Sequence, residues 1–122
     1  MSVVIYKVME AEAWRDAEAA GAYHGSADDT RDGFIHFSTA DQLPGTLAKH
    51  FAGQDGLVLV AVDAAALGDK LVWEPSRRGD LFPHLYAPLP AEAALWTAPL
   101  PLNNDGEHEL PAELPGKRGA AS

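Results

Sequence analysis

Two histidines stand in similar company. His36 lies in Gly33-Phe34-Ile35-His36-Phe37-Ser38-Thr39, and His84 in Phe82-Pro83-His84-Leu85-Tyr86. An imidazole can act as a general base, ligate a metal or donate a hydrogen bond to a phosphate. Titratable groups held among apolar residues concentrate at functional sites. After His36, Thr39-Ala40-Asp41-Gln42 fits the pattern of a Thr followed three residues later by Gln that opens a helix. A strand running into a helix start gathers polar side chains and free backbone N–H groups, which suits an anion or a phosphate-bearing ligand. Ser38 and Thr39 are therefore candidate ligand contacts as well as caps. Glu74 follows Trp73 at a strand end, where a carboxylate can hold a ribose hydroxyl or stabilise a developing cation. Tyr86 can stack on a base or hydrogen-bond a ligand. Each residue also has a purely structural reading: a histidine bracing a corner, a helix cap, an exposed charge near Arg77 or Arg78, or a core ring with its hydroxyl at the surface. Trp14, Trp73 and Trp96 read as core anchors.

Several chemistries find no support. There is no HExxH pattern and no close histidine pair, so a metal site from His36, His84 and Glu74 or Asp80 has no backing in the spacing. The chain has no GxGxxG run, no Walker loop and no GxSxG elbow. It has no cysteine, which removes disulfides and thiolate zinc sites and fits a cytoplasmic protein. The net charge is −9, from 18 acidic and 9 basic residues, which argues against a nucleic-acid partner. No segment resembles a secretory signal, and no apolar run approaches the roughly 20 residues that span a bilayer, so no membrane partner is expected.

The elements that must position these residues follow from pattern. Ser2–Met9 reads as a strand and Glu10–Ala20 as a helix with Trp14 inside and Gly21 as its stop. Residues 22–32 read as a polar loop, followed by the His36 strand. Pro44 lies too deep for the first turn of a helix capped by Thr39, which predicts a turn at Ala40–Leu43 and a helix from Pro44 to about Phe51. Leu57–Val62 is a continuous apolar run, the pattern of a strand buried on both faces. One helical turn at Asp63–Leu67, a strand at Lys70–Glu74, an extended Phe82–Tyr86, a Pro88-Leu89-Pro90 connector and a last strand at Ala94–Leu100 complete the order. This is one α+β domain over residues 1–100, with helices in front and strands behind. Residues 101–122 read as a disordered or loosely packed tail.

Val4-Ile5-Tyr6, Trp14, Gly33–Thr39, Leu57–Asp63, Leu71-Val72-Trp73-Glu74 and Phe82–Tyr86 resemble a small bacterial family of uncharacterised proteins, known as a domain of unknown function. The likeness runs from about residue 3 to about residue 100. That family looks like a compact relative of the ADP-ribosyltransferase fold. The resemblance implies a split strand core with two N-terminal helices and a cleft that in true transferases holds NAD. It implies a basic first-strand residue near Lys7 gripping the dinucleotide, a pocket strand at His36 and Ser38, and a ribose-facing Glu at Glu74.

Two functions follow. One is an enzyme that binds NAD or an ADP-ribose-like ligand and acts at the ribosyl carbon. In it His36 and Glu74 are catalytic, and Lys7, Ser38, Thr39, His84 and Tyr86 bind the ligand. The alternative is a non-catalytic module binding a small molecule or a protein through the same cleft, with a metal-assisted hydrolase as a third reading. The discriminator is whether the His36 and Glu74 side chains converge on one cavity: if they lie far apart, the transferase reading fails.

Overall fold

The computed structural model describes residues 3–76 and 79–114. The chain runs β1 (Val4–Glu10), α1 (Ala11–Ala20), β2 (Ala22–Tyr23), α2 (Ala27–Asp32), β3 (Ile35–His36), α3 (Leu43–His50), β4 (Leu57–Asp63), β5 (Leu71–Pro75), β6 (Leu81–Leu85), β7 (Leu89–Pro90) and β8 (Ala94–Pro99). Short 3-10 turns lie at Ala64–Lys70 and Ala91–Ala93. The strands pair antiparallel in three groups, ordered β1-β4-β8, β2-β7 and β3-β6-β5. The architecture is α+β. Among the described residues no helix is long and apolar enough to cross a membrane.

Strand β4 shows why its apolar run has no polar face. Successive side chains of a strand point to opposite sides. Val60 and Val62 join Ile5, Trp14, Phe37 and Leu85 in one core cluster, while Leu57, Leu59 and Ala61 join Tyr6, Leu43, Leu47 and Leu100 in another. Helix α1 closes the first cluster with Trp14 and Ala17, and α3 closes the second with Leu43 and Leu47. Truncating a fully buried leucine such as Leu59 to alanine removes about 2–5 kcal/mol of stability.

The two larger sheets meet at a seam made by one short segment. His36 pairs with His84 of β6, and the Phe37 N–H donates to the Pro83 carbonyl at 3.0 Å. One residue later Ser38 bridges to β1, exchanging bonds of 2.8 and 2.9 Å with Tyr6. The chain thus leaves one sheet and joins the other within three residues. The side chains at 36 and 38 share a face on one extended stretch and look into the gap between the sheets.

Four expectations need correction. Residues 22–32 are not a loop: they hold β2 and the six-residue α2, so the α-helices are not the two expected. The reason is local chemistry, since the Ser26 hydroxyl accepts from the Asp29 N–H while the Asp29 carboxylate accepts from the Ser26 N–H, a reciprocal cap. Thr39 and Gln42 do exchange bonds of 3.0 and 3.3 Å, but around the turn before α3, so Thr39 does not cap that helix. Trp73 is 38% exposed rather than a core anchor, because β5 is a sheet edge paired only with β6. The tail is packed as far as it is described: Leu102 bridges to His108, the His108 ring bonds the Gln54 carbonyl, and Leu114 is buried in the second cluster. The rest of the expected tail, residues 115–122, and the Arg77–Arg78 pair lie outside the described residues.

Candidate functional site

The site is organised by a residue the sequence pattern did not single out. Asp29 sits on α2, is 2% exposed, and draws donors from four directions. The Lys7 ammonium lies 3.1 Å from its Oδ1 and 2.9 Å from its Oδ2. The His36 ring Nδ1 lies 2.6 Å from Oδ1, and the His36 backbone N–H donates to the same oxygen at 3.1 Å. The Ser26 N–H donates to Oδ2 at 2.9 Å. Gly25 makes the room: its φ is +110°, and a Cβ there would stand 2.8 Å from the Asp29 Cβ. The signal for Asp29 was present as Gly25-Ser26-x-x-Asp29, a left-handed glycine followed by a reciprocal cap.

Electrostatics follow from this convergence. Burial pushes the Asp29 carboxyl up, but the His36 ring, Lys7 and the Ser26 N–H more than offset it and hold it well below the usual carboxylate range. Burial also pulls the Lys7 ammonium down, opposed by Asp29 and Asp28. Attraction thus prevails at Asp29, whereas burial prevails at Lys7. The geometry favours the charged pair, because four donors meet Asp29 and its carboxylate in turn touches Lys7 through both oxygens. Burial, with Asp29 and Glu10 nearby, likewise pushes the Tyr23 hydroxyl up.

His36 is held at both ring nitrogens. Nδ1 meets Asp29, and Nε2 lies 2.9 Å from Asp32 Oδ2. Asp32 is itself tied by its Oδ1 to the Arg31 Nε at 3.1 Å, and Arg31 reaches Asp28 at 3.0 Å. A carboxylate only accepts, so both ring contacts are hydrogen bonds only when the ring carries both protons.

His84, opposite His36 in the register, is held differently. Its Nδ1 lies 2.8 Å from Glu74 Oε1, and the Tyr86 hydroxyl donates to the same oxygen at 2.7 Å. These bonds, Tyr86 first, hold the Glu74 carboxyl below its ordinary value, and the bond to Glu74 raises the Tyr86 hydroxyl. Phe34 stacks on the His84 ring at 4.0 Å between centroids and 21° between planes, and the rings of His36 and His84 meet edge-on at 5.6 Å.

A cleft of about 250 Å³ opens at the sheet seam and is lined by Lys7, Ser38, His36 and His84 together with Asp29 and Asp32. Four of the seven residues singled out from sequence are thus brought together. Ser38 is 4% exposed and its hydroxyl pairs with Thr46 at 2.8 Å. The other three, Glu74, Tyr86 and Thr39, do not line the cleft. Glu74 stands behind His84, so it and His36 do not share the cavity. Lys7 lines the cleft with its charge already matched by Asp29. Among the described residues no group of three or more His, Asp or Glu side chains is placed to hold a metal ion.

The fold and the site together define a small antiparallel α+β protein with a histidine-lined cleft at the junction of two sheets. The chain belongs to the family described as "Protein of unknown function (DUF952)", whose pattern matches residues 8–97. It is similar to the crystal structure of protein CC0527 from Caulobacter crescentus, with 45% identity, a TM-score of 0.87, and coverage of 97% of this chain and 99% of that one. The solution structure of CC0527 matches with 48% identity and a TM-score of 0.79 over 88% of this chain and 92% of that one. No curated protein matches the sequence.

Proposed function

We propose that the seam cleft binds NAD or an ADP-ribose-like small molecule, and that binding rather than transfer is its primary role. The observation that carries this reading is the convergence of Lys7, His36 and His84, from three strands of two sheets, and of Ser38, from the bridge between those sheets, on one cavity. A concave site with a few convergent polar groups and a buried charged pair is the usual form of a small-ligand pocket. The ADP-ribosyl chemistry rests on the resemblance of the sequence to the ADP-ribosyltransferase class, and fold likeness alone does not carry an activity. Transfer is disfavoured by Glu74, which the resemblance makes ribose-facing and which here stands outside the cavity. It is disfavoured also by His36, whose ring nitrogens are both engaged by carboxylates.

Calorimetric titration with NAD and with ADP-ribose, repeated on His36→Ala after its amide spectrum has been checked for a native fold, tests the proposal. Saturable binding that is lost in the variant is the expected result. No heat from either ligand with the wild-type protein would detach the cleft from ADP-ribosyl chemistry.

A further inference from the structure

We infer that His84 is a fixed hydrogen-bond acceptor of the cleft, held in that role by Glu74 and Phe34, and that it selects the hydroxyl-bearing part of a ligand. The inference deepens the reading above and rests on it for the kind of ligand.

Geometry narrows the choice to His84. Three of the cleft-lining side chains on β3, its extension and β6 could meet a ligand: His36, Ser38 and His84. Both nitrogens of His36 face carboxylates, and the Ser38 hydroxyl pairs with Thr46. The described partner of the His84 ring is Glu74, through Nδ1. A carboxylate only accepts, so Nδ1 carries the proton, and in its neutral form the ring presents Nε2 as an acceptor. Glu74 lies outside the cavity that His84 lines, so the edge of the ring away from Nδ1 is the edge turned to the cleft. The ring is fixed there. It is 5% exposed, Phe34 covers one face, and Glu74 is itself anchored by Tyr86.

The wall of the cleft then decides the ligand's chemistry. Asp32 and the His84 Nε2 offer acceptors, Lys7 is already matched by Asp29, and Arg31 and Lys49 also line the cleft. A sugar brings several hydroxyls, the donors that the His84 acceptor needs. A ribose ring is the part of an ADP-ribose-like ligand that fits it. Glu74 and Phe34 are positioning residues: they set the tautomer and the plane of the ring without lining the pocket floor themselves.

The test reads imidazole ¹⁵N shifts in uniformly labelled protein, first without ligand and then with ADP-ribose, in wild type, Glu74→Gln and Tyr86→Phe. In ligand-free wild type His84 is expected as the Nδ1–H tautomer with unprotonated Nε2. ADP-ribose should shift Nε2 selectively, and Glu74→Gln should weaken ADP-ribose about tenfold while leaving the amide spectrum native. Tyr86→Phe, which keeps the Glu74–His84 bond, should weaken it far less. An Nε2–H tautomer without ligand overturns the inference, as does ADP-ribose that binds without moving Nε2, and neither result touches the binding reading. If neither ADP-ribose nor NAD binds, that reading falls, and the ligand-free tautomer still decides whether His84 presents its acceptor to the cleft.

Discussion

His36 and His84 face each other across one register position of β3 and β6, yet the fold treats them in opposite ways. Helix α2 brings Asp29 and Asp32 to the two nitrogens of His36, which makes that ring a buttress between α2 and the sheet. Strand β5 brings one carboxylate, Glu74, to one nitrogen of His84 and leaves the other edge toward the cavity. Adjacency to a cleft therefore does not assign a role. The count of carboxylates around each ring does, because each one commits a nitrogen as a donor. The two sides also differ in what anchors the carboxylates. Asp29 is buried in a web of donors, whereas Glu74 is held at the rim by Tyr86.

The comparison can be broken most forcefully at Asp29. Asp29→Asn leaves Lys7 buried without a charged partner and should cost about 3–5 kcal/mol in chemical denaturation. A loss below about 1 kcal/mol, the range of exposed ion pairs, would mean that the latch on His36 is not what holds α2.

Acid should act on the same side of the comparison. The folded-state pKa of Asp29 is depressed below its unfolded value of about 3.9, so the native state binds fewer protons than the unfolded one near that pH. The stability from Asp29 is therefore complete above roughly pH 5 and is lost as the pH falls from there toward the folded value. Denaturation midpoints measured between neutral and acid pH should decline along this limb in wild type and decline less in Asp29→Asn. Equal slopes would move the acid sensitivity to other carboxylates.

Gly25→Ala is expected to be milder. It places a Cβ 2.8 Å from that of Asp29 at a φ of +110°. The combined strain should cost about 1–3 kcal/mol and shift the His36 ring resonances more than those of His84. Equal shifts at both rings would show that the two sides are coupled through the sheet.

The smallest effect is expected at Asp32. Asp32→Asn alters the partner of His36 Nε2 on the exposed side of α2. The denaturation midpoint should hardly move, while the His36 ring resonances change and those of His84 stay. A large drop in the midpoint would place the anchor of α2 at Asp32 rather than at Asp29.

Much of the scaffold was legible in the residues themselves. The unbroken run Leu57–Val62 has the pattern of a strand with apolar neighbours on both faces, and β4 divides the two core clusters for that reason. Pro44 cannot sit deep in a helix, which fixed the turn before α3. Gly21 stops α1 in the left-handed conformation that glycine alone adopts cheaply. The family resemblance was legible too, since the motifs that carry it fall within the matched residues 8–97, apart from Val4-Ile5-Tyr6.

The site was less legible. Ala27–Asp32 has no apolar periodicity, and its one buried side chain is a carboxylate, so nothing in its pattern told helix from loop. Trp73 looked like core because tryptophan usually is, and only the edge position of β5 left it exposed.

By itself, then, the sequence determined which segments are apolar, where the backbone must turn, and which two histidines stand in aromatic company. Those are properties of single residues and near neighbours, and short-range sterics and hydrophobicity act on them directly. Only the tertiary structure decided that Asp29 meets Lys7 and His36, that Glu74 stands behind His84, and that one ring is saturated while the other is not. Those contacts join residues from different elements, where the direction of each side chain is set by how the sheets and helices pack.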